Sequence, residues 1–109
     1  MEKITLLVLT LNEIVGVKII MPTIDKTLFH EIIFIDGGST DGTVQYAVDN
    51  GYTIYEQQNP GLGGAYIEGL TKSTGDIVVL FSPDGNSDVA RLEELINEIK
   101  KGFDIVIVS

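Results

Sequence analysis

Residues 31–43 read EIIFIDGGSTDGT, an apolar run followed at once by an acidic, glycine-rich turn. The apolar run is typical of a buried strand, and open α/β sheets bind ligands at the carboxyl ends of such strands. The three glycines allow a sharp turn and a close approach of the backbone to a ligand. We expect Asp36 to point its carboxylate into that crevice, and Ser39 and Thr40 to cap the next helix. A ligand site is predicted here before anywhere else in the chain.

The rest of the chain repeats this alternation of apolar strand and helix. Apolar runs predict five strands, at residues 4–9, 31–35, 52–56, 77–81 and 105–108. Helical spacing of apolar residues occurs in the four intervening segments, at Ile14, Val17 and Met21, at Val44, Ala47 and Val48, at Ala65 and Leu70, and at Leu92, Leu95, Ile96 and Ile99. Such alternation predicts a mostly parallel sheet with right-handed crossovers. We therefore expect a Rossmann-like three-layer α/β sandwich, with residues 1–109 forming one domain.

Composition excludes several classes of function. With 16 acidic and 7 basic residues the formal net charge is −9, which argues against nucleic acid as a partner. The absence of cysteine excludes disulfides and thiolate zinc sites. The longest apolar runs fall far short of the ~18 to 20 residues of a membrane helix, so a soluble segment is expected. The apolar end of the chain leads us to expect that the natural protein continues beyond Ser109.

Four predicted strand ends carry polar groups, at residues 10–13, 36–43, 57–59 and 82–86. Taken singly, each cluster is also explained by turn and cap chemistry, and Asn12 suits a helix N-cap. Parallel strands, however, bring all four clusters to one edge of the sheet. Asp84, with Asn86 two residues later, offers the oxygen ligands that Mg²⁺ prefers, and the cation would neutralise a ligand phosphate. Together the clusters predict a nucleotide site assisted by a divalent metal.

A second glycine-rich segment, NPGLGGA at residues 59–65, leads into the third predicted helix. Exposed N–H groups at a helix start attract anions, although a tight turn before a helix explains the segment equally well. Its glycine spacing is not that of a dinucleotide fingerprint, and no P-loop is present.

These motifs together resemble the donor-binding half of family 2, GT-A type glycosyltransferases, particularly the dolichol-phosphate mannosyltransferase-like branch. Residues 10–13 resemble the family's T-x-N-E, residues 36–43 its D-D/G-G-S-T-D-G-T, and residues 59–69 its N-x-G-x-G-x-A segment. The stretch Ser82-Pro83-Asp84 falls where the family carries D-x-D. Leu9 stands where the family usually has proline, and Ser82 replaces the first aspartate of D-x-D. That replacement predicts poor metal affinity in the absence of nucleotide.

The resemblance implies a set of site residues and a reaction. The residues that the resemblance implies for substrate binding are Thr10, Leu11, Asn12, Glu13, Asp36, Gly37, Ser39, Gln58, Gly63 and Asp84. The residues that it implies for binding Mg²⁺ or Mn²⁺ are Asp84 and Asn86. The reaction would transfer a sugar from a GDP- or UDP-sugar to an acceptor such as a polyprenyl phosphate. The protein is then expected in the cytoplasm, either free or at the cytoplasmic face of the membrane. The general base is expected beyond Ser109, so this segment by itself should bind donor with little or no turnover.

Two other readings remain open from the residues. A non-catalytic, regulatory α/β module that binds nucleotide is compatible with the missing aspartate at Ser82. A receiver-type phosphoacceptor domain is suggested by the size, the acidity and the aspartate at a strand end, although Asn12 and Glu13 stand where such domains need an acidic pair.

Overall fold

A computed structural model of the chain describes residues 3–58, 61–83 and 105–108. All strand pairs in these ranges are parallel. The elements are the strands β1 Ile4–Thr10, β2 Glu31–Asp36, β3 Thr53–Glu56, β4 Ile77–Phe81 and β5 Ile105–Val108, and the helices α1 Ile14–Ile20, α2 Thr43–Asp49 and α3 Gly61–Lys72. The five predicted strands are confirmed to within one residue. The helical pattern from Leu92 to Ile99 lies outside the described residues.

The strands lie side by side in the order β3-β2-β1-β4-β5. The chain therefore builds outward from β1 to β3, then returns to the other side of β1 and continues to β5. This is the order of a Rossmann half, which confirms the predicted α/β fold, whereas receiver domains have the order 2-1-3-4-5. The receiver reading is thus wrong. The side on which successive strands are added reverses between β1 and β4. Ligands of open α/β sheets bind at such a reversal of the strand order.

Both faces of the sheet are buried at β1, β4 and most of β2, as the nearly continuous apolar runs at β2 and β4 predicted, whereas β3 is largely exposed. On one face Leu6, Val8 and Phe34 pack with residues of α1 and α2 in the larger cluster of core side chains. On the other face Leu7 and Ile33 belong to a second cluster that includes Ala65 of α3. The helices within the described ranges are all too short or too polar to cross a lipid bilayer.

The starts of α1 and α2 correct three capping predictions. Helix α2 begins at Thr43 after Gly42, whose φ is 98°, so Ser39 and Thr40 lie too early in the loop to cap it. At α1 the N-cap position is held by Glu13, and Asn12 adopts a φ of 53° in the loop before it. The side chains predicted as caps are instead bonded across to a neighbouring loop, as described below.

The amino ends of the strands are tied together by a buried threonine and a glutamate. Thr5 Oγ1 donates to Glu31 Oε2 at 2.6 Å. The backbone N–H and the hydroxyl of Thr74, in the loop between α3 and β4, donate to the same oxygen at 2.6 and 2.9 Å. The N–H of Gly75 donates to Thr5 Oγ1 at 3.1 Å. These contacts fasten the edge of the sheet opposite to the predicted site.

Candidate functional site

A cavity of about 600 Å³ lies where the carboxyl ends of β1, β2 and β4 meet the start of α3. It coincides with the topological reversal between β1 and β4, so its position follows from the strand order. Apolar side chains form much of its wall, with polar groups from the loops around them. The lining residues are Leu9, Thr10, Leu11, Glu13, Ile35, Gly37, Gln57, Gln58, Gly61, Ala65 and Ser82.

Five residues predicted for the site do line this cavity, namely Thr10, Leu11, Glu13, Gly37 and Gln58. They come from the end of β1 and from the loops after β1, β2 and β3, which are separate in sequence, while the three strands are adjacent in the sheet. The predicted convergence of strand ends is therefore present in the fold. A side chain at residue 37 would project toward Gln57 Oε1, Leu11 and the Thr10 carbonyl oxygen, at 3.4 to 3.6 Å, so glycine keeps that space open.

The carboxylate of Asp36 does not point into this cavity, contrary to the prediction. Asp36 is 2% exposed, and its two oxygens accept four hydrogen bonds from the protein. Oδ1 accepts from Thr10 Oγ1 at 2.7 Å and from Ser39 Oγ at 2.6 Å, and Oδ2 accepts from the N–H groups of Gly38 and Ser39 at 3.0 and 2.7 Å. The reason is local, because the glycine-rich turn curls back over the end of β2 and brings its own donors to the carboxylate.

Two opposing effects act on the pKa of Asp36. Burial raises it, but the hydrogen bonds from Ser39, Thr10 and Gly38 to the ionised form outweigh burial and leave the pKa below its ordinary value. Asp36 is therefore a charged group at neutral pH that organises the turn.

Asn12 and Ser39 lie away from the cavity wall and join its two principal loops. The N–H of Asn12 donates to Ser39 Oγ at 2.8 Å, and the N–H of Thr40 donates to Asn12 Oδ1 at 2.8 Å. The positive φ of Asn12 turns its backbone toward the neighbouring loop, a conformation that asparagine tolerates better than most residues. These two predicted binding residues thus act on the loops in this structure.

The two glutamines after β3, Gln57 and Gln58, line the cavity on the side of β3 and α3. The N–H of Gln57 donates to the Asp36 carbonyl oxygen at 2.7 Å, and its Nε2 donates to the carbonyl oxygen of Gly61 at 2.8 Å. The N–H of Gln58 donates to the carboxylate of Glu68 at 2.8 Å. Gln57 therefore links the end of β2 to the start of α3. Gly63, predicted for the site, lies in the first turn of α3.

Six lining residues were not among the predicted site residues. Leu9, Ile35 and Ala65 have the apolar character of core positions, and only their place at the ends of β1 and β2 and in α3 distinguishes them. The other three belong to polar or glycine-rich clusters already identified in the sequence, namely Gln57, Gly61 and Ser82. The rule that the last residues of each parallel strand reach the crevice would have included Leu9 and Ile35.

The predicted metal ligands Asp84 and Asn86 lie outside the described residues. Within those residues no three metal-binding side chains come together. Ser82, at the end of β4, lines the cavity, and Asp84 follows it two positions later in the sequence. A carboxylate and an amide suit a hard cation such as Mg²⁺ or Mn²⁺. Since none of the described lining residues is lysine or arginine, such a cation is also what a bound diphosphate would need there.

Comparison with known proteins agrees with this geometry. Residues 5–109 match the model of glycosyl transferase family 2. An uncharacterized glycosyltransferase of Mycobacterium tuberculosis is 29% identical over 105 residues, covering 96% of this chain and 47% of the relative. The low-salt glycan biosynthesis hexosyltransferase Agl6 of Haloferax volcanii is 30% identical over 78 residues, 72% of this chain and 19% of the relative. The chain thus spans about half or less of the length of these relatives.

Solved structures show the same fold. Glucosyl-3-phosphoglycerate synthase from Mycobacterium tuberculosis, in complex with uridine diphosphate, superposes with a TM-score of 0.81 at 26% identity, over 93% of this chain and 41% of that one. The same enzyme with Mn²⁺, UDP-glucose and phosphoglyceric acid gives a TM-score of 0.81 at 26% identity, over 93% and 40% of the two chains. With a family model that spans residues 5–109 and a cavity at the expected sheet edge, the chain belongs to glycosyl transferase family 2.

Proposed function

We propose that this chain is the nucleotide-sugar-binding part of a glycosyltransferase that transfers a sugar from a nucleoside-diphosphate donor to an acceptor. The observation that carries the proposal is the cavity at the reversal between β1 and β4, lined by loops from three neighbouring strands. Its position and its family both favour a nucleotide ligand. We further propose that residues 1–109 are the N-terminal part of a longer glycosyltransferase domain, because the matched relatives are about twice as long or longer.

The residues divide into those that would touch the donor and those that would hold the walls. Thr10, Leu11, Glu13 and Gly37 line the cavity and would contact the nucleoside. Gly61 begins α3 and lines the cavity, so the backbone N–H groups of this helix start would face the diphosphate. For Asp36, Asn12 and Ser39 the hydrogen bonds support an indirect role, since these residues hold the loops that carry the lining residues.

We propose UDP-sugar as the donor and Mn²⁺ or Mg²⁺ as the cation. The support is that glucosyl-3-phosphoglycerate synthase, a structural neighbour, was crystallised with Mn²⁺ and UDP-glucose. Asp84 and Asn86 would hold the cation, with the nucleotide phosphates completing its ligands. When bound, the cation would offset the charge that develops on the departing diphosphate. GDP-sugar stays the alternative donor, in line with the resemblance to dolichol-phosphate mannosyltransferases.

We also propose an acceptor and a location for the protein. A polyprenyl phosphate at the cytoplasmic face of the membrane is supported by the motif resemblance. The solved neighbour was crystallised with phosphoglyceric acid, which makes a small phosphorylated acceptor the competing choice. A regulatory, non-catalytic module is not favoured, because the named relatives are glycosyltransferases.

Thermal unfolding with added nucleotide tests the donor proposal. UDP with Mn²⁺ should stabilise the protein by about 2.7 kcal/mol at a hundredfold excess over Kd, and GDP with Mn²⁺ should stabilise it less. Asp84→Ala should remove the part of the stabilisation that depends on Mn²⁺. Asp49→Asn, which removes an exposed carboxylate at the end of α2, is the matched control and should behave as wild type. Absence of a shift with either nucleotide would contradict the proposed function.

A further inference from the structure

Asp41 lies in the motif at residues 36–43, but its carboxylate has no direct contact with the cavity. The residue is exposed and does not line the cavity. It nevertheless accepts hydrogen bonds from the N–H of Ile14 at 3.0 Å, from the N–H of Thr43 at 3.1 Å and from Thr43 Oγ1 at 2.5 Å. Ile14 and Thr43 are the first residues of α1 and α2. One carboxylate therefore satisfies a backbone donor at the start of each of two helices, which the side chains predicted as caps do not do.

Through these bonds Asp41 holds the peptide groups on both sides of Glu13. The N–H after Glu13, that of Ile14, donates directly to Asp41 Oδ2. The N–H of Glu13 itself donates to Thr43 Oγ1 at 3.2 Å, and that hydroxyl in turn donates to Asp41 Oδ1. Glu13 is half-buried and lines the cavity. The place of Glu13 in the cavity wall thus depends on a residue that belongs to the other loop.

The ionisation state of Asp41 suits this arrangement. The hydrogen bond from the Thr43 side chain is the largest effect and lowers the pKa of Asp41. Desolvation opposes it, but the N–H groups of Ile14 and Thr43 also lower the pKa, which stays below its ordinary value. Thr43 is fully buried, so its relay between Asp41 and Glu13 is sheltered from water. The carboxylate is ionised at neutral pH and accepts from all three donors.

We propose that Asp41 is a positioning residue for the nucleotide-sugar site, fixing Glu13 and the start of α1 at the cavity wall without touching the ligand. The inference rests on the proposed function and deepens it. The motif at residues 36–43 then has two roles. Gly37 lines the cavity, and Ser39, Asp41 and Thr43 accept hydrogen bonds from the neighbouring loop.

Amide hydrogen exchange of the ligand-free chain tests the structural half of the inference. In Asp41→Ala the amides of Glu13 and Ile14 should exchange at least about tenfold faster. The N–H of Ile14 loses its acceptor, and the N–H of Glu13 loses the carboxylate that holds its acceptor, the Thr43 hydroxyl. Asp41→Asn keeps one acceptor oxygen and should give an intermediate rate. Asp49→Asn, at the far end of α2, should match wild type. Unchanged exchange at these two amides in Asp41→Ala would overturn the inference whatever the ligand does.

Calorimetric titration of the same variants with UDP and Mn²⁺ tests the functional half, at a temperature where circular dichroism shows each variant folded. Asp41→Ala should raise Kd roughly tenfold, and Asp41→Asn should raise it less. Glu13→Ala should also raise Kd, and adding Asp41→Ala to it should raise Kd no further, because Asp41 acts through Glu13. A merely structural role predicts a lower melting temperature with the wild-type Kd, and independent roles predict losses that multiply. Either result would overturn the inference.

The controls separate this inference from the proposed function. If wild type binds neither UDP nor GDP with Mn²⁺, the proposed function fails and the positioning role falls with it. If wild type binds nucleotide while Asp41→Ala binds with an unchanged Kd, the proposed function stands and the inference alone fails.

Discussion

At the scale of single residues, Asp36 shows how a carboxylate at a strand end can serve the loop that follows it. Its Oδ2 accepts only backbone N–H groups, whereas its Oδ1 accepts only hydroxyls. Backbone N–H groups can only donate, but hydroxyls can also accept. An amide nitrogen could therefore replace Oδ1, whose hydroxyl partners can accept, but could not replace Oδ2. Substitution of Asp36 can test this difference.

We expect Asp36→Asn to be tolerated and Asp36→Ala to be strongly destabilising. In the asparagine variant Oδ1 can face the two N–H groups while Nδ2 donates to Thr10 and Ser39, so the cost should be about 1 kcal/mol. Alanine leaves the hydroxyl of buried Thr10 and three donors of the partly buried turn without their acceptor, which should cost about 3 kcal/mol. Urea unfolding at pH 7 measures both values, with exposed Asp49→Asn as control. Equal losses for the two variants would show that the charge of Asp36, and not its pattern of acceptors, holds the turn.

At the scale of elements, the position of α3 against the sheet depends on Gly69. A Cβ at this residue would lie 2.1 Å from Leu7 Cδ2 and 2.8 Å from Leu7 Cγ. Leu7 is completely buried, so its side chain has no open space to move into. Glycine is unfavourable inside a helix, by roughly 0.5 to 1 kcal/mol relative to alanine. The close approach of α3 to β1 is what its presence allows.

We expect Gly69→Ala to lower the free energy of unfolding by about 1 to 3 kcal/mol, although alanine is the better helix former. The overlap with Leu7 would force α3 away from the sheet and widen the cavity at Ala65, which lies one turn earlier on the same helix. Thr71→Ala, at an exposed position of α3, is the control and should change stability little. Chemical denaturation measures both. A gain in stability for Gly69→Ala would mean that the helix and the sheet are packed less tightly than described here.

At the scale of the whole molecule, four carboxylates in the described part of the chain have lowered pKa values. The lowering at Asp25 and Asp41 comes first from side-chain hydrogen bonds of Thr27 and Thr43. At Glu31 and Asp36 burial is the largest effect and raises the pKa, but hydrogen bonds outweigh it. In the unfolded chain these groups titrate near about 3.9 for aspartate and 4.3 for glutamate. The unfolded state therefore binds protons more readily than the folded state does.

We expect the free energy of unfolding to be fully maintained above about pH 5 and to fall as the pH drops through the folded-state values below about pH 4. The sign follows from linkage, because acid favours the state with the higher pKa values. Urea unfolding from pH 3 to pH 7 measures the slope, at about 0.2 M salt to screen the net charge of −9. The double variant Asp36→Asn with Glu31→Gln should flatten the profile. A slope unaltered by these two changes would assign the acid sensitivity to other groups.

How much of this molecule could be predicted depends on the range of the interactions involved. The apolar runs at residues 77–81 and 105–108 predicted β4 and β5 to the residue, because burial on both faces of a sheet demands local apolar sequence. The edge on which the cavity lies could also be predicted, because parallel strands share one carboxyl edge. The capping of α1 was not predicted, because the carboxylate that accepts from its first N–H belongs to Asp41, 27 positions after Ile14.

The sequence by itself therefore determined the alternation of strand and helix, the membership of the fold class and the edge of the sheet where the cavity lies. These depend on patterns within a few residues, such as apolar runs and glycine turns. Only the tertiary structure decided which polar groups face the cavity and which hold its walls. Asp36 and Glu13 both follow strands and both carry carboxylates, but Asp36 is surrounded by donors of its own turn and of Thr10, whereas Glu13 is held by its backbone alongside the cavity. That difference arises when β1 and β2 pair and bring their two loops into hydrogen-bonding distance.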